Sequence, residues 1–449
     1  MEKVSGRRWY LVSLLSLLYV ISCVDRYILF LFVAPIKAEM GITDTQIALL
    51  FGPAFGFFYA IAGLPIAWLI DRGNRTLIAC SGVAIWSLST VAAAFTSSYE
   101  QLIVLRMLVA LGEAVLSPAA ISLIADYFHR NERSTPTAVY VSSGLAGSML
   151  AFTVGGLIIQ FAEHGGFSFS PFLDGLPVWR LALIIVGCPG IFIAALVYLT
   201  TREPVRGRLD GATTQNQKQP RLGSFSSAKQ AVRFYILYFS GIALLISFTY
   251  SGTVWFPTHL TRVLKIDAAT SGYIMGTAIA LSGVFSLTIP ALMQKMTKDG
   301  QKVRILEAYL FAMPMGCVCF LVSLFLKSLT WVTLFAAFGK GLLGALAALA
   351  PIVISLTAPA AFRGRLVAAN LATQHIIGLG LGPLVTAMLS DYIFKGPMGL
   401  AYAMATLGMF VLPVSGLSIY LASRILRKES SEVVPRIGEP TSSALAAKQ

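Results

Sequence analysis

Apolar residues fill this chain in long stretches that are separated by short polar segments. Twelve stretches reach about 20 residues, the length that an α-helix needs to cross a bilayer. We number them spans 1 to 12, at residues 10–36, 46–70, 76–95, 99–124, 136–161, 180–200, 231–257, 269–293, 303–326, 330–356, 365–390 and 398–422. The first lacks a cleavable site of small residues, so we expect a retained helix and not a signal peptide. The pattern predicts an all-α integral membrane protein with twelve transmembrane helices.

Composition excludes an ordinary soluble protein. Hydrophobic residues make up 56% of the chain and charged residues only 12%, against about 25% charged residues in typical soluble domains. The net charge of +14 does not indicate nucleic-acid binding, because most Lys and Arg residues lie on one side of the membrane if both termini are cytoplasmic. We expect a monomeric, multi-pass inner-membrane protein. The five cysteines show no metal-ligand spacing, and no metal or cofactor is expected.

Two charges interrupt the apolar run of span 4. Arg106 and Glu113 lie seven residues apart, which places them on one helical stripe about 10 Å apart along the axis. A charge in the hydrocarbon core is costly, so such residues usually face a bundle interior or a water-filled pathway. We interpret them as an adjustable ion pair at a functional site. A salt bridge that only holds the bundle together is the alternative.

Span 1 carries the adjacent charges Asp25 and Arg26 about halfway across the membrane. Adjacent residues point roughly 100° apart on a helix, so they cannot share one partner. We expect one to face a central cavity and the other a neighbouring helix. Alternatively, Asp25 only neutralises Arg26 or Arg106.

The second half of the chain contributes Lys340 in span 10 and His375 in span 11. A buried lysine without an obvious carboxylate partner needs a counter-charge, so we predict that Lys340, with Arg26 and Arg106, binds an anionic group. His375 titrates near neutral pH in water, but a packing role is the interpretation that we favour.

The loop after span 2 carries Asp71, Arg72 and Arg75 in the run PIAWLIDRGNR. This run resembles the loop motif G-x-L-x-D-R-x-G-R-R of the major facilitator superfamily, with Ala67 and Asn74 in place of its glycines. The resemblance implies that Asp71, with Arg72 and Arg75, forms a cytoplasmic gate and latches helix ends when the transporter opens outward.

Glycine motifs occur in spans 5 and 11. The run from Gly147 to Gly156 is similar to the antiporter signature of the same superfamily, with Ala151 and Phe152 in place of its central Gly-Pro. The members that we expect to pack helices together are Gly147, Gly155, Gly156, Gly378, Gly382 and Pro383.

The two glycine motifs lie about 230 residues apart, which indicates a repeat of six helices. We therefore predict the major facilitator fold in two pseudo-symmetric halves, with a site between them. The predicted boundaries are 1–200 and 231–424 for the halves, 201–230 for a cytoplasmic linker and 425–449 for a disordered tail.

The charges of spans 1 and 4 together with the gate loop resemble the spinster family. The resemblance implies a proton-linked transporter of lipid-like substrates such as sphingosine phosphate or lysophospholipids. The predicted coupling residues are Asp25, Glu113 and Arg106, driven by a proton gradient without a cofactor. Substrate candidates are anionic or zwitterionic amphiphiles, while a small organic anion symporter and a drug:proton antiporter are alternatives. Neither G-x-S-x-G nor H-E-x-x-H occurs, so no enzymatic activity is expected.

Overall fold

The structure is a computed structural model, and it describes residues 2–129, 131–167, 175–206, 225–296, 302–359 and 362–433. Within these ranges the chain is helical and contains no strand. Twelve helical spans are long and apolar enough to cross a membrane. The α-helices run at Glu2–Ile28, Val33–Met40, Asp44–Phe51, Pro53–Arg72, Arg75–Ala93, Tyr99–Tyr127, Ser134–Glu163, Val178–Thr200, Ala228–Val263, Ala268–Met296, Lys302–Ser323, Leu329–Thr357, Arg363–Thr373, Gly382–Met388 and Gly399–Val433. The predicted all-α fold with twelve spans is confirmed.

Three spans depart from a regular α-helix. Span 1 contains the 3-10 segment Leu29–Leu31, and span 2 is interrupted at Gly52, between Asp44–Phe51 and Pro53–Arg72. Span 2 begins at Asp44, where the Thr43 hydroxyl accepts a hydrogen bond from the Gln46 amide at 3.2 Å and the Gln46 side chain accepts one from the Thr43 amide. These reciprocal bonds satisfy amides that a helix start leaves free. Span 11 contains two π-helical segments, Gln374–Leu381 and Leu389–Ile393.

The two halves repeat the same pattern of helix packing. In the first half span 3 packs on spans 4 and 6, span 1 packs on span 5, and span 2 packs on span 4. In the second half span 9 packs on spans 10 and 12, span 7 on span 11, and span 8 on span 10. The halves meet where span 5 contacts span 8 and where span 2 contacts span 11. This pairing is the packing expected of a two-fold repeat of six helices.

Polar contacts between the halves gather at one end of the bundle. We call it the distal end, because Glu2 and Val433, the first and last described residues, lie at the other end. The Asp44 carboxylate accepts hydrogen bonds from the Arg262 guanidinium at 2.6 and 2.7 Å and also pairs with Lys37. Asp391 accepts from the amide and the hydroxyl of Thr45 at 2.8 and 2.7 Å. These contacts join the beginning of span 2 to the ends of spans 7 and 11, and they close the distal end.

The predicted disorder of 425–449 is wrong for its first part, since span 12 continues as a helix to Val433. Leu426 and Glu429 are buried, and the Glu429 carboxylate accepts hydrogen bonds from the amide and hydroxyl of Ser226 at 2.8 and 2.9 Å. The burial of Leu426 and the hydrogen bonds of Glu429 stabilise these additional helix turns by tertiary packing. The predicted linker is also shorter than expected, because the helix of span 7 begins at Ala228. Residues 207–224 of it and 434–449 of the tail lie outside the described residues.

Candidate functional site

Glu113 of span 4 lies at the centre of the charged site and is 2% exposed. Its Oε2 atom accepts hydrogen bonds from the Arg26 Nε at 3.1 Å and from the Ser22 hydroxyl at 2.9 Å, and it also contacts the Arg26 Nη2. Ser22 and Arg26 lie four residues apart on span 1, so they occupy the same helix face. Span 1 therefore supplies both partners of the span 4 carboxylate.

The expected pairing of Arg106 with Glu113 is not present in this structure. Instead Arg106 donates a hydrogen bond from Nη2 to the backbone oxygen of Arg26 at 3.1 Å. Two residues seven apart on one helix are separated by about two turns, whereas a side chain on the neighbouring helix approaches directly. Both guanidinium groups lie over the ring of Phe55, at 4.7 Å for Arg26 and 4.9 Å for Arg106, an arrangement that stabilises a buried cation.

Asp25 points to the other side of span 1, as its position beside Arg26 predicts. Its carboxylate accepts a hydrogen bond from the Thr90 hydroxyl of span 3 at 2.8 Å. The Oδ1 atom of Asp25 and the Nε atom of Arg106 are buried and have no hydrogen-bond partner among the described residues. Asp25, Thr90 and Arg106 line one small cavity, which leaves about 10 Å³ for the centre of a water-sized molecule. The cavity is large enough for one water that bridges polar groups.

Lys340 is the buried cation of the second half and is 7% exposed. Its ammonium group donates a hydrogen bond to the Thr253 hydroxyl at 2.7 Å and lies 5.4 Å from the centre of the Phe320 ring. Within the described part of the chain it forms no ion pair. A hydroxyl and an aromatic ring compensate only part of the cost of burying a charge.

His375 of span 11 packs on Tyr59 of span 2. The two rings are parallel, with centres 4.4 Å apart, and the His375 Nδ1 is hydrogen-bonded to the Leu371 oxygen at 2.8 Å. The Tyr59 ring also lies 5.5 Å from the Arg26 guanidinium. His375 of the second half therefore contacts Tyr59, which in turn contacts Arg26, the partner of Glu113.

The loop after span 2 is divided between an exposed and a buried part. Asp71 is exposed, and its carboxylate has no partner among the described side chains, while Arg72 lies over Trp68 at 4.4 Å. Arg75 is buried and pairs with Asp126 of span 4 and with Glu203 at 2.6 Å. Arg75 therefore ties spans 3 and 4 to the chain after span 6, within one half.

The glycines of the two motifs lie where helices approach closely. A Cβ atom on Gly147 would meet Val20 and Cys23 of span 1 at 2.7 Å, and one on Gly156 would meet the Ala269 oxygen at 2.9 Å. In span 11 a Cβ atom on Gly378 would meet Ile246 at 2.5 Å, and Gly382 lies directly against the Ser247 backbone. The Pro383 oxygen accepts a hydrogen bond from Trp255 at 3.0 Å. Small residues at these positions permit the crossing of the helices; Gly155 packs on Leu31 in the same way.

Sequence reasoning missed the neutral partners of the charged groups. Ser22, Thr90 and Thr253 are ordinary hydroxyl residues in apolar spans, and Phe55 is one of many aromatic side chains. Their only signal in the sequence is position, as for Ser22, which lies one turn before Arg26. No group of three or more His, Cys, Asp or Glu side chains gathers as a metal site in the described ranges.

Comparison with known proteins agrees with this architecture. The sequence profile of the Major Facilitator Superfamily matches residues 15–383. A crystal structure of a bacterial homologue of the human lysosomal transporter spinster, in an inward-facing and unoccupied conformation, superposes with a TM-score of 0.78, at 25% identity over 94% of this chain and 98% of that chain.

Two curated relatives align over most of their length. An MFS-type efflux pump of Mycolicibacterium smegmatis is 27% identical over 436 residues, which cover 95% of each chain. The sphingosine-1-phosphate transporter of Danio rerio is 24% identical over 97% of this chain and 88% of its own. The chain belongs to the major facilitator superfamily of membrane transporters and, within it, resembles the spinster proteins.

Proposed function

We propose that the protein is a proton-coupled transporter that moves an anionic amphiphile, of the lysophospholipid or sphingosine-phosphate type, by alternating access. The observation that carries this proposal is the charge balance of the buried site. In the interior of the described membrane spans, the buried cations Arg26, Arg106 and Lys340 outnumber the buried carboxylates Asp25 and Glu113. Lys340 stands opposite hydroxyl and aromatic partners and not opposite a carboxylate. A site with excess buried positive charge favours an anionic ligand.

The apolar surroundings of these cations support an amphiphile as the substrate. The rings of Phe55 and Tyr59 lie against Arg26, and Phe320 lies against Lys340. An acyl chain gains binding free energy when it packs against such apolar surfaces, whereas a small hydrophilic anion gains little. The similarity to a sphingosine-1-phosphate transporter supports the same class of substrate.

By the positive-inside rule we infer that both termini lie on the cytoplasmic side of a bacterial inner membrane. In that orientation the closed distal end would face outward, as in an inward-facing transporter. The contacts of Asp44 with Arg262 and of Asp391 with Thr45 would then form the outer gate. The exposed Asp71 would be a released inner gate.

Proton coupling would act through the contact of Glu113 with Arg26. Protonation removes the negative charge that holds the guanidinium, and it frees Arg26 to interact with an anion. Asp25, beside Arg106 and Thr90, would be the second proton site. A proton drives transport only if its affinity differs between the conformations. Movement of Arg26 and Arg106 relative to the two carboxylates would supply that difference.

Counterflow in proteoliposomes tests the proposal. Proteoliposomes that contain the purified protein are loaded with unlabelled 1-oleoyl-lysophosphatidylglycerol. Uptake of the labelled lipid is then followed with and without an imposed pH gradient. We expect saturable counterflow, which a channel does not show, and a rate that changes with the pH gradient. Neutral 1-oleoylglycerol is the matched lipid without charge, and glucarate is a small organic anion without an acyl chain.

Each alternative gives a distinct result in this assay. Saturable, proton-dependent uptake of glucarate alone would replace the lipid proposal by a small organic anion symporter. Export of a cationic dye without lysophospholipid transport would indicate a drug:proton antiporter. In a Lys340→Ala variant we expect weaker binding of the charged lipid and unchanged binding of 1-oleoylglycerol; equal losses for both would assign Lys340 a packing role.

A further inference from the structure

Tyr250 of span 7 has a hydroxyl group that the mechanism above leaves unused. The residue is 6% exposed, and its hydroxyl forms no hydrogen bond with any described residue. Most buried side-chain hydroxyls in native proteins have a partner, because burying an unpaired polar group costs stability. A ligand that enters the structure at this position is one explanation for the unpaired hydroxyl.

The surroundings of Tyr250 connect it to the charged site of the other half. Its ring packs on Tyr27 and Phe30 of span 1, with ring centres 6.4 and 6.0 Å apart. Tyr27 follows Arg26 directly in the chain. The charged groups Arg26, Arg106 and Glu113 all lie within electrostatic reach of the Tyr250 hydroxyl. The second half thus places a hydrogen-bond donor beside the cations of the first half.

The same face of span 7 also leads to Lys340. Tyr250 and Thr253 lie three residues apart, so they occupy neighbouring positions on one helix face. The Thr253 hydroxyl accepts the hydrogen bond from the Lys340 ammonium group at 2.7 Å. Span 7 therefore connects Lys340 in its own half with Arg26 and Arg106 across the boundary.

We propose that the Tyr250 hydroxyl donates a hydrogen bond to an anionic oxygen of the transported molecule, so that the ligand is bound by both halves at once. This inference rests on the proposed function, because it requires an anionic substrate. The shared chemistry is a phosphate or carboxylate oxygen. The Tyr250 hydroxyl has no acceptor among the described residues, and an anion bound between the halves would supply one.

The Tyr250→Phe substitution removes the hydroxyl and keeps the ring that packs on Tyr27. We expect the ligand-free protein to unfold at the same temperature or a higher one, because a buried unpaired group is lost. Affinity for 1-oleoyl-lysophosphatidylglycerol should fall about tenfold, the effect of one hydrogen bond to a charged group. Affinity for neutral 1-oleoylglycerol should not change.

Tyr309→Phe is the matched control. The Tyr309 hydroxyl has partners, the Leu346 oxygen at 2.5 Å and the Tyr238 hydroxyl at 3.0 Å. This variant should lower the unfolding temperature and leave lipid affinity unchanged. Tyr250→Phe should thus lower lipid affinity without lowering the unfolding temperature, and Tyr309→Phe should do the reverse. A general loss of folding would not produce this pattern.

Three results separate the inference from the proposed function. If Tyr250→Phe binds the charged lipid as tightly as the wild type, or loses stability at unchanged affinity, the inference is wrong and the transporter proposal stands. If the wild type binds glucarate and not the lipid, a tenfold loss of glucarate affinity supports Tyr250 as a carboxylate donor. If the wild type binds neither anion, the proposed function fails and Tyr250 with it.

Discussion

Arg26 shows how single residues make a buried charge tolerable in this protein. Its guanidinium group lies against one carboxylate, from Glu113, and two aromatic rings, from Phe55 and Tyr59. Ser22 shares the same carboxylate oxygen. Breaking a buried pair by removing one partner costs about 3–5 kcal/mol in other proteins. Loss of either charged partner, Arg26 or Glu113, would therefore leave the other charge buried and uncompensated.

A first prediction at the residue scale concerns Glu113→Gln. The neutral amide mimics the protonated carboxyl group, so Arg26 loses its counter-charge at every pH. We expect the pH dependence of the conformational equilibrium to become flatter, and Asp25→Asn to remove a further part of it. Distances between spin labels on the two halves, measured between pH 5 and pH 8, report this equilibrium. A double variant that keeps the full pH response would place the coupling proton elsewhere, with His375 as the next candidate.

A second prediction concerns Glu203, which lies outside the membrane spans. Burial raises the pKa of its carboxyl group, but hydrogen bonds from Arg75 and Thr76 outweigh burial and hold the pKa below its usual value of 4.5. A carboxylate with a lowered folded-state pKa stabilises the fold above its unfolded pKa, and this contribution is lost as pH falls through the folded-state value.

Glu203→Gln should therefore reduce stability at pH 7 by about 1 kcal/mol, a value discounted for partial exposure. The difference from the wild type should shrink as the pH falls below 4.5. Unfolding temperatures of both proteins in detergent, measured from pH 7 to pH 3, test this expectation. Glu132→Gln removes a partner of Arg8 at 3.8 Å that is half exposed, and it serves as the control with little expected effect. A constant difference across this pH range would contradict the assignment.

At the scale of whole elements, spacing along a helix predicted which charges share a face but not which helix lies opposite. The separation of Asp25 and Arg26 onto different sides follows from helix geometry alone. The partner of Glu113 does not, because it depends on how span 1 packs on span 4. The missed hydroxyl partners have the same cause. Apolar stretches specify that a helix spans the membrane, whereas its rotation is set by tertiary packing.

The start of span 2 carries an ion pair that connects the two halves. Asp44 is 3% exposed and accepts two hydrogen bonds from Arg262. Asp44→Asn should destabilise the closed distal end by roughly 1–3 kcal/mol, less than for a fully buried pair because Arg262 is partly exposed. Labels on the distal ends of spans 2 and 7 should move apart. Asp267→Asn at the neighbouring start of span 8, where the carboxylate bonds only within its own turn, is the control and should leave that distance unchanged.

For the molecule as a whole, the sequence predicted the number of the spans and their division into two halves more closely than their ends. Span 2 starts two residues earlier than predicted, and span 12 continues to Val433. These ends are decided by a capping box and by the contact of Ser226 with Glu429. Hydropathy registers neither interaction, since both join polar side chains to backbone groups.

The last prediction concerns the balance between the two open forms. Asp71 is exposed here, and it is proposed to latch the cytoplasmic side only in the outward-open form. Asp71→Asn should therefore shift the population toward the inward-open form without abolishing ligand binding, which distance measurements across the cytoplasmic face detect. Because Asp44→Asn acts at the opposite end, it should shift the population the other way. Two shifts in the same direction would contradict the proposed gates.

The π-helical segment Gln374–Leu381 has a consequence for the length of the chain. A one-residue deletion in a regular helix rotates all later residues by about 100°; in span 4, between Arg106 and Glu113, it would turn Glu113 away from Arg26. A π-helical turn already contains an extra residue. Removing one residue there converts it into an α-helical turn and leaves the faces before and after it in phase. Span 11 is therefore the span that best tolerates loss of a single codon, and the gain or loss of one residue at this position offers evolution a way to adjust the contact of His375 with Tyr59.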